Sequence, residues 1–218
     1  MLTIIILFFL VAILFLFRYK LNTNSVDAFT GKTSITDKNI VLIGDSMLNN
    51  SAYVKINQSI PELISKATNK TLYNFAKDGA TINDSYAQID KISTDQNNSN
   101  TNIFVSVGGN NILNSKQQMD KTSISNLFNQ YTEFIKSIKA HVPNANLYVL
   151  NLYFPVDSHY KTYKKSIEQW NKLIEDNTFL KYKVIQTNKL LVFEDDFVYS
   201  IEPSFKGGQK IVDLIVQS

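Results

Sequence analysis

Asn39-Ile40-Val41-Leu42-Ile43-Gly44-Asp45-Ser46 is the stretch from which the fold of this chain can be predicted. Its four consecutive apolar residues, three of them β-branched, predict a strand that is buried on both faces. Gly44 interrupts the run, and an acidic residue and a serine follow directly. The loops at the carboxyl ends of parallel strands form the ligand crevice of an α/β sheet, so Ser46 stands where a nucleophile could lie. The alternative is a turn in which Asp45 and Ser46 hydrogen-bond to nearby backbone groups.

The rest of the chain alternates between strand-like runs and stretches with helical spacing of apolar residues. This alternation predicts an α/β fold with a doubly wound, five-stranded parallel sheet. After the first strand, the predicted strands are Thr71–Phe75, Asn102–Val107, Asn146–Leu152 and Tyr182–Gln186. The predicted helices are Ile60–Ala67, Ile82–Ile92, Ile124–Ala140, Tyr160–Asp176 and a last helix that ends near Val216, with Ser204 as its N-cap.

The composition excludes several classes of function. The chain has 218 residues and a net charge of +3, from 22 basic and 19 acidic residues without a basic cluster, so nucleic acid binding has no support. It contains no cysteine, which excludes disulfides and thiolate metal sites. The acidic run Glu194-Asp195-Asp196 is typical of a solvated loop and does not by itself indicate a metal site.

The amino-terminal segment is strongly apolar. Residues 1–17 contain no charge, and a helix of this length would reach about 25 Å, close to the thickness of a bilayer core. Arg18 and Lys20 follow as interfacial anchors, so we expect a single-pass transmembrane anchor over 1–20, a polar tether over 21–37 and a folded domain over 38–218. A cleaved signal peptide is the competing interpretation. The sequence leaves the side of the membrane open.

Three predicted strand ends carry residues suited to acyl transfer. The first ends in Gly44-Asp45-Ser46, the second leads to Gly79, and the third leads to Gly108-Gly109-Asn110. An acyl-transfer site needs a nucleophilic oxygen and donors aimed at the oxyanion. The N–H groups of Ser46 and Gly79 and the amide of Asn110 could supply these donors. The alternative is three glycine-containing strand exits of the kind that any such sheet can have.

These three blocks, in this order, resemble the SGNH, or GDSL-type, hydrolase superfamily over about residues 40–216. The resemblance implies a flavodoxin-like three-layer sandwich with ester hydrolysis or acyl transfer, with Ser46 as the nucleophile and no metal or organic cofactor. Its substrates would be esters of lipids, acetylated glycans or similar compounds. The matching residues for the oxyanion hole are Ser46, Gly79 and Asn110.

The last block departs from the family pattern. The family usually carries Asp-x-x-His before the final helix, whereas here Tyr199 takes the Asp position and Glu202 the His position, within an Ile-Glu-Pro-Ser sequence that resembles a subgroup of the family. Glu202 could act as the base if burial raises its pKa toward neutrality. Alternatively, Glu202 only favours the positive end of the last helix. His159, with Asp157 to orient its ring, is a second candidate base.

The sequence therefore predicts a membrane-tethered serine esterase of SGNH type. Two other hypotheses stay open at this point. The domain could be a catalytically silent module that binds acylated or glycan ligands, or an acyltransferase that uses the same serine.

Overall fold

The computed structural model describes residues 38–218, and these residues form a sheet with five parallel strands. The strand order is β2-β1-β3-β4-β5, which is the flavodoxin-like order. The predicted parallel sheet is therefore confirmed. The strands are β1 (Asn39–Gly44), β2 (Thr71–Asn74), β3 (Thr101–Ser106), β4 (Asn146–Leu150) and β5 (Lys183–Ile185).

Helices cover both faces of the sheet. They are α1 (Ile60–Ala67), α2 (Ile82–Ile89), α3 (Gly109–Asn114), α4 (Lys121–His141), α5 (Lys164–Asp176), α6 (Thr187–Leu190) and α7 (Phe205–Gln217). Helix α1 packs against α7, while α4 packs against α2 and α5. Because crossovers between parallel strands are right-handed, the reversal of strand order after β2 places these two groups on opposite faces.

The elements form where the apolar pattern predicts them. All four residues from Ile40 to Ile43 are fully buried in the centre of the sheet. Helix α7 starts at the predicted N-cap, where the Ser204 hydroxyl accepts a hydrogen bond from Gly207 N–H at 3.1 Å. The predicted helix beginning at Tyr160 starts instead as a 3-10 segment over Ser158–Tyr163, and its α-helical part begins at Lys164.

Two short features were absent from the prediction. The glycines after β3 start helix α3, with Gly108 as its N-cap, because a left-handed φ of 104° at this residue lets the chain turn beside Trp170. A two-stranded hairpin, β6 (Phe197–Val198) and β7 (Glu202–Pro203), precedes α7. Both features are too short for a periodic pattern of apolar residues to be recognised in the sequence.

The end of β1 is held by contacts on three sides. Gly44 pairs with Ser106 of β3, and the buried side-chain amide of Gln88 binds both the N–H and the carbonyl of Gly44, at 2.7 and 3.0 Å. The carbonyl of Gly44 also accepts the N–H of Lys77 at 2.9 Å. The position of Asp45 and Ser46 is therefore set by β3, by α2 and by the loop after β2.

The predicted anchor over 1–20 and tether over 21–37 lie outside the described residues. Within residues 38–218, the structure contains no helix that is long and apolar enough to span a bilayer.

We predict that Gly44→Ala destabilises the domain by about 3 kcal/mol or more. A Cβ at this position would lie 1.8 Å from the Ser106 carbonyl oxygen, and the φ of 128° is unfavourable for alanine. Urea unfolding would measure the change.

Gly79→Ala is the matched control, because Gly79 also has a positive φ, 75°, but a Cβ there would meet no atom within 4 Å. We expect it to cost about 1 to 2 kcal/mol, from backbone strain alone. Equal losses in the two variants would contradict a steric role for the contact between Gly44 and Ser106.

Candidate functional site

A pocket opens at the carboxyl edge of the sheet, beside the end of β1. Its empty volume is about 540 Å³, including space open to solvent. Polar residues occupy one wall, and apolar side chains form most of the remainder. The polar wall consists of Asp45, Ser46, Asn110 and Glu202, and the apolar lining of Met47, Ile112, Leu113, Leu152, Tyr153, Pro155, Tyr160, Ile167 and Ile201.

Ser46 lies at the first turn after β1, where the sheet order reverses. The turn is closed by hydrogen bonds from Leu48 N–H to the Asp45 carbonyl and from Asn50 N–H to the Ser46 carbonyl, at 3.1 and 3.0 Å. The N–H of Ser46 itself has no acceptor within residues 38–218. A side-chain hydroxyl and an unoccupied backbone donor therefore occur together at this residue, as acyl transfer requires.

Glu202 faces Ser46 from the hairpin on the other side of the pocket. Burial raises the pKa of its carboxyl group above 4.5, hydrogen bonding from the Ser46 hydroxyl opposes this rise, and the charge of Asp78 adds to it. Oε2 of Glu202 is buried without a hydrogen-bond partner among the described residues. The structure therefore brings Ser46 and Glu202 together, with one carboxylate oxygen left available.

Two buried side chains hold the hairpin that carries Glu202. The Tyr153 hydroxyl donates to the Ile201 carbonyl at 2.7 Å. The side-chain amide of Asn50 donates to the Pro203 carbonyl at 3.0 Å, and its oxygen accepts the N–H of Ile60 at 2.8 Å. Asn50 therefore links the turn after Ser46, helix α1 and the hairpin.

The acidic run before the hairpin has a structural role. Asp196 is fully buried, pairs with Lys210 at 2.7 Å and accepts the N–H groups of Val192 and Phe193 at 3.0 Å. Burial raises the pKa of Asp196, but the hydrogen bonds from Lys210 and from the two N–H groups outweigh it, and the net pKa is lowered. Within residues 38–218, no cluster of three or more histidine, aspartate or glutamate side chains could hold a metal ion.

Tyr199, at the position of the family's Asp, faces solvent and not the pocket. It and Ser200 both have left-handed backbone conformations, with φ of 49° and 70°, in a turn closed by Ile201 N–H and the Val198 carbonyl. Its ring is 74% exposed and packs edge-on against Tyr53, with 6.1 Å between centroids. The residue therefore cannot orient a group at position 202.

Of the other two predicted oxyanion donors, Asn110 lines the Ser46 pocket and Gly79 does not. Asn110 lines the pocket, and one N–H of its amide donates to the Ala80 carbonyl at 3.1 Å, which leaves the second N–H for a ligand. Gly79 is exposed and stands outside the lining residues, although its N–H has no acceptor in the described part of the chain. The hydrogen bond between Asn110 and Ala80 ties the Gly79 loop to the pocket wall.

The two histidines do not reach the pocket. His159 is exposed, and its ring contacts Tyr160. Its backbone N–H donates to the Asp157 carboxylate at 2.8 Å. His141 lies at the end of α4 and its Nε2 is 2.8 Å from the Ile92 carbonyl, at the opposite edge of the sheet. The structure therefore places neither ring among the residues that line the Ser46 pocket.

Sequence reasoning missed the positioning residues Gln88, Asn50 and Tyr153. Each is a buried polar side chain whose partners are backbone groups far away in the sequence. Asn50 also adopts a positive φ of 40°, which asparagine tolerates better than most residues. Only Gln88, a polar residue between the apolar Ala87 and Ile89, could have drawn attention, whereas Asn50 lies between the polar Asn49 and Ser51.

Asp45 is a buried carboxyl group of the site whose pKa is strongly raised. Its carboxylate accepts hydrogen bonds from the Ser106 hydroxyl at 2.8 Å and from Met47 N–H at 3.1 Å. Burial nevertheless raises the pKa of Asp45 to about 7, with a further contribution from the charge of Glu202. At neutral pH this residue is therefore divided between its protonated and ionised forms.

We predict that the raised pKa of Asp45 makes the domain less stable as pH rises. Between about pH 4 and pH 7 the folded state keeps a proton that the unfolded state has lost, so the free energy of unfolding falls across this range. Asp45→Asn removes this dependence. The free energy of unfolding of the variant, relative to that of the wild type, should therefore be about 2 to 3 kcal/mol higher at pH 8 than at pH 5. Urea unfolding at both pH values would measure this difference. A difference that does not change with pH would contradict the raised pKa.

Comparison with known proteins places this pocket in a family. Residues 40–189, more than half of the chain, match the model of the GDSL-like lipase/acylhydrolase family. No curated protein matches the sequence significantly.

Solved structures share the fold at low sequence identity. A phospholipase A1 from Streptomyces albidoflavus superposes with a TM-score of 0.63 at 14% identity, covering 83% of this chain and 99% of its own. A lipase/acylhydrolase from Enterococcus faecalis superposes with a TM-score of 0.61 at 18% identity, covering 83% of this chain and 94% of its own. A psychrotrophic esterase from Pseudoalteromonas superposes with a TM-score of 0.60 at 16% identity, covering 84% of this chain and 96% of its own.

The family match includes the Gly44-Asp45-Ser46 turn and the Asn110 wall of the pocket. The resemblance inferred from the three sequence blocks is thus confirmed: the chain belongs to the GDSL-like lipase/acylhydrolase family and is an ester hydrolase of the SGNH type.

Proposed function

We propose that this domain hydrolyses carboxylic esters through a Ser46–Glu202 pair. The observation that carries the proposal is the position of Ser46 and the partly buried Glu202 carboxyl group in one pocket whose lining contains no histidine. A serine hydroxyl must lose its proton during attack, and a base is most effective when its pKa lies near the working pH. Burial moves the pKa of Glu202 in this direction.

In the proposed reaction, Glu202 takes the Ser46 hydroxyl proton while the serine oxygen attacks the ester carbonyl carbon. Negative charge develops on the carbonyl oxygen, where the Ser46 N–H and the Asn110 amide can donate to it, with Gly79 N–H as a third donor if its loop approaches. The intermediate collapses to a Ser46 ester as the alcohol leaves with the proton from Glu202. Water then attacks this ester and gives a proton to Glu202, and the second intermediate collapses as Ser46 takes that proton back and the acid leaves.

The apolar lining of the pocket favours binding of the acyl group of the substrate. Nine apolar side chains surround the space beside Ser46, and only one wall carries polar groups. A sugar ring would leave its hydroxyl groups against apolar side chains without hydrogen-bond partners, which is costly. We therefore propose a fatty acyl ester as the substrate, in preference to an acetylated glycan.

We predict that Ser46→Ala abolishes hydrolysis and that Glu202→Gln lowers kcat/KM by about 100-fold or more. Wild-type activity should rise with pH along an acid limb whose midpoint lies above 4.5, because Glu202 must be ionised and its pKa is raised. Initial rates on short-chain nitrophenyl esters from pH 5 to 9 would measure both effects.

Asp78→Asn is the matched control for this pH profile. The charge of Asp78 raises the pKa of Glu202, so its removal should move the acid limb to lower pH and leave the plateau rate in place. Full activity in Glu202→Gln would refute the proposed base. Transfer of the acyl group to an added sugar, in preference to water, would favour the acyltransferase hypothesis.

A chain-length series tests the proposed acyl substrate. Each methylene that enters the apolar pocket is worth about 0.8 kcal/mol, or about fourfold in kcat/KM. We expect nitrophenyl butyrate and hexanoate to be cleaved faster than acetate by factors of this size, until the pocket is full. A constant or falling kcat/KM from acetate onward would contradict the proposal, while Ser46→Ala would still report whether the serine chemistry holds.

A further inference from the structure

An exposed apolar patch lies beside the mouth of the Ser46 pocket. Of the eight large hydrophobic side chains that are exposed within residues 38–218, five lie on or next to the hairpin and the loop that packs against it. We call these residues the hairpin patch: Ile56, 86% exposed, with Val192, Phe193, Tyr199 and Phe205.

A groove and a lysine side chain connect Tyr199, Phe205 and Phe193, and the other two members adjoin this group in the chain, since Ile56 follows Lys55 and Val192 precedes Phe193. A shallow groove is lined by Tyr199, Phe205 and the loop residues Tyr53 to Lys55, next to Ile56. Lys206 extends from the groove over the Phe193 ring, at 5.7 Å from its centroid. A contiguous exposed apolar surface on a folded domain marks an interaction site, unlike single hydrophobic residues scattered over a surface.

The hairpin patch borders the pocket directly. Ile201 and Glu202, which line the pocket, immediately follow the turn that exposes Tyr199. Burial raises the pKa of Tyr53, which packs against Tyr199, and the charge of Glu202 adds to this rise. A surface bound to the patch would therefore lie at the entrance through which a substrate reaches Ser46.

The charges around the patch are largely neutralised. Lys206 pairs with Asp195 at 2.6 Å, and Lys210 pairs with Asp196 at 2.7 Å. Within residues 38–218, Lys55 is the lysine of the groove that forms no ion pair. The patch therefore suits a partner that is recognised by apolar insertion, and a strongly charged partner such as a nucleic acid is not favoured.

We propose that the hairpin patch docks the domain on the surface of a lipid bilayer, with the pocket mouth facing the lipid. The chain outside the described residues supports this occupant, because residues 1–17 are uncharged and apolar. If they enter a bilayer, the polar stretch 21–37 spans at most about 60 Å, which keeps the domain within reach of that surface. Exposed aromatic and aliphatic side chains are the groups that enter the interfacial region of a bilayer.

Vesicle flotation of residues 38–218 tests this proposal. These residues have their own hydrophobic core. The part of the chain that superposes on the phospholipase A1 from Streptomyces albidoflavus covers 99% of that protein, so a fold of this size exists as a protein by itself. We expect binding to neutral phosphatidylcholine vesicles that changes little between low and high salt. Ile56→Ser/Tyr199→Asn should weaken partitioning by about tenfold or more, since it removes the two most exposed side chains of the patch. Asparagine is chosen at position 199 because it tolerates a positive φ.

Phe179→Ser is the matched control. Phe179 is 79% exposed but precedes β5, at the opposite edge of the sheet, so its loss should leave vesicle binding unchanged. Both variants should keep wild-type activity on a soluble short-chain ester, which reports correct folding. Ser46→Ala should bind vesicles like the wild type, so the docking result is independent of the proposed chemistry.

Three outcomes would overturn the proposal. The wild-type domain could fail to float with vesicles, the double variant could bind as well as the wild type, or the Phe179→Ser control could lose binding equally. A dimer detected by sedimentation that the double variant abolishes, without vesicle binding, would assign the patch to a second copy of the chain.

Discussion

The close approach of β1 and β3 at Gly44 is the constraint on which the site depends. The Ser106 carbonyl fills the space where a side chain would stand, so position 44 accepts only glycine, and the chain leaves the sheet in a left-handed conformation. Gln88 then holds both backbone groups of this residue from α2. As a result, the position of Ser46 at the sheet edge is set by backbone geometry and not by its own side-chain contacts.

The second half of the site depends on a different set of buried polar groups. Asp196 and Lys210 anchor the start of the hairpin to α7, and Asn50 and Tyr153 hold its far strand and turn. These bonds outweigh the strain of two consecutive left-handed residues in the turn. Because Asn50 also belongs to the turn after Ser46, any shift of the nucleophile and any shift of the hairpin are coupled through one side chain.

Two carboxyl groups with raised pKa values flank Ser46, and this has a cost for stability. Burial disfavours the ionised forms of both Asp45 and Glu202. A histidine base would not impose the same cost, because its neutral form is the one that accepts a proton. A site that uses glutamate in this position therefore needs the desolvation that destabilises it, which is a common relation between stability and activity.

The sequence by itself determined the five-stranded parallel sheet, the N-cap at Ser204 and the order of the three blocks that identify the family. These features depend on local periodicity and on residue types at strand ends, which are properties of short stretches of chain. The pairing of Ser46 with Glu202 was foreseen only as one of several alternatives.

Tertiary structure alone decided which candidates meet. It placed Ser46, Asn110 and Glu202 around one pocket, left Gly79 at its border, and kept His159 in solvent. It also turned an acidic run into the buried anchor at Asp196. The physical reason is that the burial and the pKa of a side chain depend on groups that are more than a hundred residues away in the chain. A local sequence pattern does not show which of these distant groups will pack together and exclude water.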